Sequence, residues 1–127
     1  MKILIVDDDE MNIEILVDIL EDAGFETTYA ENGQEALGVL ESDAAGKIKL
    51  ILLDRMMPVM DGMEFKEAIS LDDRWKDIPI IFQTAASQPK DLVEGMQTGA
   101  YYYLTKPFDK EILLSIVHAA MKDNGLE

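Results

Sequence analysis

Five short aliphatic runs alternate with segments of helical period along the chain, the pattern of a parallel sheet covered by helices on both faces. The runs fall at residues 2–6, 26–30, 50–54, 79–84 and 101–105. "KLILLD" and "IPIIFQT" lack polar alternation, as strands buried on both sides do, so they belong mid-sheet. Between the runs, residues 12–24 place Ile13, Leu16, Val17 and Leu20 on one helical face and stop at Gly24, a candidate C-terminal cap. Residues 32–42 give a second helix through Ala36, Leu37 and Leu40. Further helical segments are predicted over 60–70, 88–99 and 109–122, while "SDAAGKIK" and "SLDDRWKD" read as surface loops.

The length of 127 residues leaves room for one domain with a real core. The expected boundaries are 1–123 for the folded domain and 124–127 for a short tail, its terminal Leu-Glu of the kind a cloning site leaves behind. A net charge of −15 repels phosphate backbones and anionic lipid headgroups, which argues against direct nucleic-acid or membrane binding. The absence of cysteine removes disulfides and thiolate chemistry, and no run approaches the roughly 20 apolar residues of a membrane span, so a cytoplasmic location is expected.

The first run ends in "VDDDE", four adjacent carboxylates. Asp9 and Glu10 precede a helix and can simply complement its positive end. Asp7 and Asp8 invite a different reading. Five βα units in an α/β, doubly wound sheet commonly take the order 2-1-3-4-5, with ligands at the carboxyl ends of the strands where the order reverses. Strands one and three would then lie about 4.8 Å apart, bringing Asp7 and Asp8 beside Asp54. Three acids in one crevice call for a hard divalent cation with oxygen ligands, Mg²⁺ above all. Thr84 ends the fourth run and Lys106 follows the fifth, adding a hydroxyl and an ammonium. This group can stabilise a phosphoryl group in transfer, with Asp54 as nucleophile forming an aspartyl phosphate.

"VDDD", "LLDRMMPVMDG", "QTA" and "YYYLTKPF" stand in an order and spacing that resembles the receiver domains of two-component response regulators, over essentially all of residues 1–122. The resemblance implies a flavodoxin-like (CheY-like) fold and a phosphoacceptor signalling domain, not an enzyme in the ordinary sense. It implies Mg²⁺ held by Asp7, Asp8, Asp54 and the backbone carbonyl of Met56, with Asp8 a direct ligand. Asp54 would be the phosphorylation site, Thr84 the hydroxyl that moves toward the phosphoryl group, Lys106 its cationic partner and Tyr103 an aromatic switch. Pro107 would follow a cis peptide, and Pro58 and Gly62 would shape the loop after Asp54. A sensor histidine kinase or phosphotransfer protein is the implied donor. A downstream protein target, an attached output domain or a phosphorylation-dependent homodimer is the implied receiver of the signal. Two departures matter: Met56 and Ala86 stand where polar residues often orient the attacking water, and Tyr101 and Tyr102 stand where the family usually has acids. The two tyrosines either cover a sheet edge or form part of a partner-binding surface.

The alternative is a Mg²⁺-dependent phosphohydrolase with an aspartyl-phosphate intermediate. Such enzymes of the haloacid dehalogenase type carry a second acid two residues after the nucleophile, where this chain has Met56. His118, the single histidine, sits in an amphipathic helix away from the strand ends and reads as structural, not as a phosphohistidine. Met56, Met57, Met60 and Met63 read as filling irregular gaps, not as a copper site, and Trp75 as loop packing.

Overall fold

The computed structural model describes residues 1–54, 59–85 and 102–126. In chain order these form β1 (Lys2–Val6), α1 (Glu10–Asp22), β2 (Glu26–Ala30), α2 (Gly33–Ser42), β3 (Ile48–Asp54), α3 (Gly62–Ser70), β4 (Ile80–Ala85), β5 (Tyr102–Lys106) and α4 (Lys110–Asp123). The five strands are parallel and ordered β2-β1-β3-β4-β5, as expected for the doubly wound fold. The helix predicted over 88–99 lies outside the described residues.

Alternation along each strand divides the core in two. Ile3, Ile5, Leu50, Leu52, Ile81 and Leu104 face α1 and α4. Leu4, Val6, Ile51, Leu53, Ile80 and Phe82 face α2 and α3. Burial on both faces is the reason these strands read as unbroken aliphatic runs. Phe65, Phe82 and Leu16 are each 0 % exposed. Removing a side chain of this kind typically costs about 3–5 kcal/mol.

Local signals account for the element ends. Asp9 caps α1, accepting from the N–H groups of Met11 and Asn12 at 3.0 and 3.3 Å. Asp61 and Glu64 close a reciprocal capping box on α3, and Asp109 accepts from Ile112 N at α4. Gly24 follows the end of α1 with φ +95°, a conformation that favours glycine.

Most element bounds fall within two residues of the expectation, and two differences have a visible local cause. β3 begins two residues early, at Ile48, which is buried, so the end of "SDAAGKIK" is strand. Asp43 holds this entry by accepting from the N–H groups of Lys47 and Ile48 at 3.0 and 2.9 Å. One apolar residue between two lysines gives too little period to read as strand. At the other end, residues 124–126 close α4. Gly125 N donates to Lys122 O and Leu126 N to Met121 O, with Gly125 at φ +69°, a Schellman cap whose Leu126 packs on the core.

Candidate functional site

The register of β1 on β3 pairs Ile5 with Leu52 and Val6 with Leu53, and one step further brings Asp7 beside Asp54. On β4, Gln83 pairs with Asp54, and on β5 Ala85 pairs with Lys106. Counting by twos from Ile5, Leu52, Ile81 and Leu104, all on the α1 and α4 face, reaches Asp7, Asp54, Gln83 and Lys106. The apolar layer of the core is therefore capped by a row of polar side chains at the carboxyl ends of four neighbouring strands.

Asp7, Asp8 and Asp54 each bring a carboxylate oxygen within 4.8 Å of the others. Asp7 is fully buried, Asp54 is 8 % exposed and Asp8 faces solvent. Lys106 Nζ lies 3.3 Å from Asp7 Oδ2 and 3.7 Å from Asp54 Oδ2, reaching over β4 to do so. Asp7 Oδ1 accepts from Asp9 N at 2.9 Å, and its Oδ2 also accepts from Asn12 Nδ2. Three carboxylates against one ammonium leave two negative charges over. At 4.8 Å and an effective dielectric near 20 the buried Asp7–Asp54 pair repels by about 3.5 kcal/mol, while solvent brings the two pairs that include exposed Asp8 toward about 0.9 kcal/mol each. The donor set is oxygen only and acidic, which fits a hard divalent cation and not a soft one.

Of the other residues marked in the sequence, Thr84 is buried at the end of β4, and the Lys106–Pro107 peptide is cis. Gly62 is buried at the start of α3. Before it, Val59 is held at φ 69°, a strained conformation for a β-branched residue, in the loop that follows Asp54. Met60 O of the same loop accepts from Gly33 N at 3.3 Å, and a Cβ at Gly33 would meet Met60 Cγ at 2.8 Å. Glycine lets Met60 lie directly on the start of α2. Met56, Met57, Pro58, Ala86 and Tyr101 lie outside the described residues.

The two described tyrosines of β5 face opposite sides, as alternation requires. Tyr103 stacks on Phe82 with ring centroids 5.8 Å apart. Tyr102 packs against the α1 and α4 side, and its hydroxyl donates to Asp123 Oδ2 near the end of α4 and lies 3.4 Å from Ala119 O. His118 is exposed on α4 with its ring 5.8 Å from that of Phe25, and Met60 and Met63 pack against the α2 and α3 side of the core. Asp9 serves as a helix cap and Glu10 stands in the first turn of α1. Sequence reasoning passed over Asn12 and Gln83, although a glutamine inside "IIFQT" was a visible interruption of an apolar run.

Away from the pocket, Arg74 joins the loop before β4 to α2. It grips Glu41 with two hydrogen bonds of 2.9 and 3.0 Å, bonds Asp72 at 2.8 Å, and lies 4.2 Å over the ring of Trp75. Its hydrogen bonds hold the Glu41 and Asp72 carboxyls below the usual carboxylate range. Glu31 is pushed the other way, chiefly by the negative charge of Glu10.

Comparison with known proteins agrees with this geometry. Residues 3–118 match the response regulator receiver domain. The phosphate regulon transcriptional regulatory protein PhoB of Pseudomonas aeruginosa is 38% identical over 97% of this chain and 52% of its own length. The DNA-binding dual master transcriptional regulator RpaA of Synechocystis is 39% identical over 95% of this chain and 49% of its own length. The chain thus spans about half the length of these curated relatives. Among solved structures, the Vibrio cholerae chemotaxis protein CheY4 superposes with a TM-score of 0.85 at 34% identity, over 94% of this chain and 97% of that one. The receiver domain of a histidine kinase from Syntrophus aciditrophicus gives 0.86 at 34% identity, over 96% and 90%. Among the described residues no helix is long and apolar enough to cross a membrane. Strand order, acidic pocket and relatives together place the chain in the response regulator receiver domain family, as a phosphoacceptor signalling module of two-component systems with Asp7, Asp8 and Asp54 forming its acidic pocket.

Proposed function

We propose that this receiver takes a phosphoryl group onto Asp54 from a sensor histidine kinase or phosphotransfer protein in the cytoplasm, and that this switches a partner-binding surface. The observation that carries the assignment is Lys106 Nζ, set between Asp7 Oδ2 and Asp54 Oδ2 at the edge of the acid group. Asp7, Asp8, Asp54 and the backbone carbonyl of Met56 would hold Mg²⁺, which when bound supplies positive charge to the transferring phosphoryl oxygens. An Asp54 carboxylate oxygen forms the new P–O bond, and the donor's P–N bond breaks with its electron pair passing to the imidazole. Lys106 offsets the charge brought in by the phosphoryl group, and Thr84 supplies a hydroxyl at the neighbouring strand end.

Downstream, Tyr103 acts as the switch and Tyr101 and Tyr102 contribute to a surface that meets a protein target, an output domain or a second copy of the chain. The reading as a phosphohydrolase loses its basis, since the chain belongs to the receiver family and Met56 stands where such an enzyme needs its second acid.

The test uses acetyl phosphate with Mg²⁺ and intact-mass spectrometry. The native chain should gain one phosphoryl group, EDTA should prevent it, and Asp54→Asn should remain unmodified. A Mg²⁺-dependent phosphoryl adduct persisting on Asp54→Asn overturns the assignment.

A further inference from the structure

Gln83 is 0 % exposed, in a strand whose preceding residues Ile80, Ile81 and Phe82 are apolar and buried. Its Oε1 accepts from Asn12 Nδ2 at 3.1 Å, and the same Asn12 amide nitrogen donates to Asp7 Oδ2. Asn12 thereby uses its two N–H bonds to tie Gln83 of β4, 71 residues away in sequence, to the buried carboxylate that follows β1. Gln83 Nε2, by contrast, has no hydrogen-bond partner among the described residues. A buried donor left in this state carries an uncompensated desolvation penalty. An apolar residue of the same length would serve packing better, so the amide has another use.

We infer that Gln83 is a positioning residue for the acidic pocket, acting through Asn12 to hold the Asp7 carboxylate in the orientation that binds the divalent cation. This rests on reading the pocket as a Mg²⁺ site. The geometry supports it because Asp7 has donors on both oxygens: Asp9 N on Oδ1, and Asn12 with Lys106 on Oδ2. Asp9 N belongs to the adjoining backbone and Lys106 is shared with Asp54. The Asn12 amide is the remaining brace, and Gln83 Oε1 fixes which way that amide points. Partners of this kind, which touch a ligand side chain and not the metal, typically contribute 10–100-fold in metal affinity.

The experiment is titration calorimetry of Mg²⁺ alone into the metal-free chain, paired with thermal unfolding in EDTA. Gln83→Met keeps length and bulk while removing both polar atoms. It should lower Mg²⁺ affinity about tenfold and leave the metal-free unfolding midpoint unchanged or higher, since an unsatisfied buried donor is gone. Asn12→Ala, at a half-buried helix position, should lower affinity similarly and provides the test should the strand variant misfold. The double variant should lose no more than Asn12→Ala alone, because both act on one carboxylate. Unchanged affinity in Gln83→Met overturns the inference, as does a loss accompanied by a lowered unfolding midpoint, the signature of packing. Losses that multiply in the double variant also overturn it. Full Mg²⁺ affinity in Asp8→Asn would instead overturn the metal-site reading beneath it.

Discussion

Asp8→Asn should stabilise the metal-free protein, although it removes a residue of the functional pocket. Asp8 offers an oxygen within 4.8 Å of oxygens of both Asp7 and Asp54. Each pair repels by about 3.5 kcal/mol at an effective dielectric of 20, but by only about 0.9 kcal/mol at the dielectric of water. Asp8 faces solvent, so the lower figure governs and the relief on neutralising it is about 1–2 kcal/mol. For a domain of this length that raises the unfolding midpoint by about 4–8 °C. The assay is thermal unfolding followed by circular dichroism in EDTA at low salt. The gain should shrink as ionic strength rises from about 0.01 to 1 M, where the screening length falls from about 30 to 3 Å. Mg²⁺ at about ten times its dissociation constant should stabilise the native chain by about 1.4 kcal/mol and Asp8→Asn by much less, narrowing or reversing the order. If Asp8→Asn is no more stable than the native chain in EDTA, or if Mg²⁺ lifts both midpoints equally, the account of the pocket as a charge-frustrated cation site is wrong.

Arg74→Met should lower the unfolding midpoint at neutral pH. Because Arg74 depresses the Glu41 and Asp72 carboxyls in the folded state, this stability is present above the ordinary carboxylate range and lost as pH falls through the lowered values. The gap between variant and native midpoints should therefore close below about pH 4, and a gap unchanged down to pH 2 would contradict the ion-pair explanation. Met56→Asn with Ala86→Asp should hasten loss of the phosphoryl group by admitting and orienting a water; a lifetime unchanged or longer, measured by radiolabel decay, would refute the role given to these positions. Tyr101→Asp with Tyr102→Asp should weaken a phosphorylation-dependent association without reducing modification of Asp54, as read by sedimentation with and without beryllium fluoride. Indifference of both self-association and target capture would leave the pair a structural one.

What could be read in advance followed from how local each cause was. The aliphatic runs revealed the strands because a doubly covered sheet needs them, and the acids were legible because the strand order brings two remote ends together. Asp9 as a helix cap needed only its neighbours. The entry to β3 was hidden because Asp43 fixes it from four and five residues away, not by any hydrophobic period. "NGL" after α4 carried a Schellman signal, yet at the end of a chain those letters also describe an ordinary tail. Asn12 and Gln83 were the hardest, since each looks unremarkable in its own element and only the pairing of β4 with β3, beside α1, makes them neighbours. The same logic separates the tyrosines of β5. Their alternation was readable from strand period, whereas the hold of Tyr102 on Asp123 depends on where α4 stops. That hold makes the Tyr102 position a point where the end of the last helix is tied to the last strand. An acid placed there would set two carboxylates together at the end of α4 as well as altering the surface, so Tyr102→Phe is the cleaner probe: it frees the helix end while keeping the aromatic face. An association weakened by Tyr102→Asp but kept in Tyr102→Phe depends on the ring, and one lost in both depends on the hydroxyl that ties strand to helix.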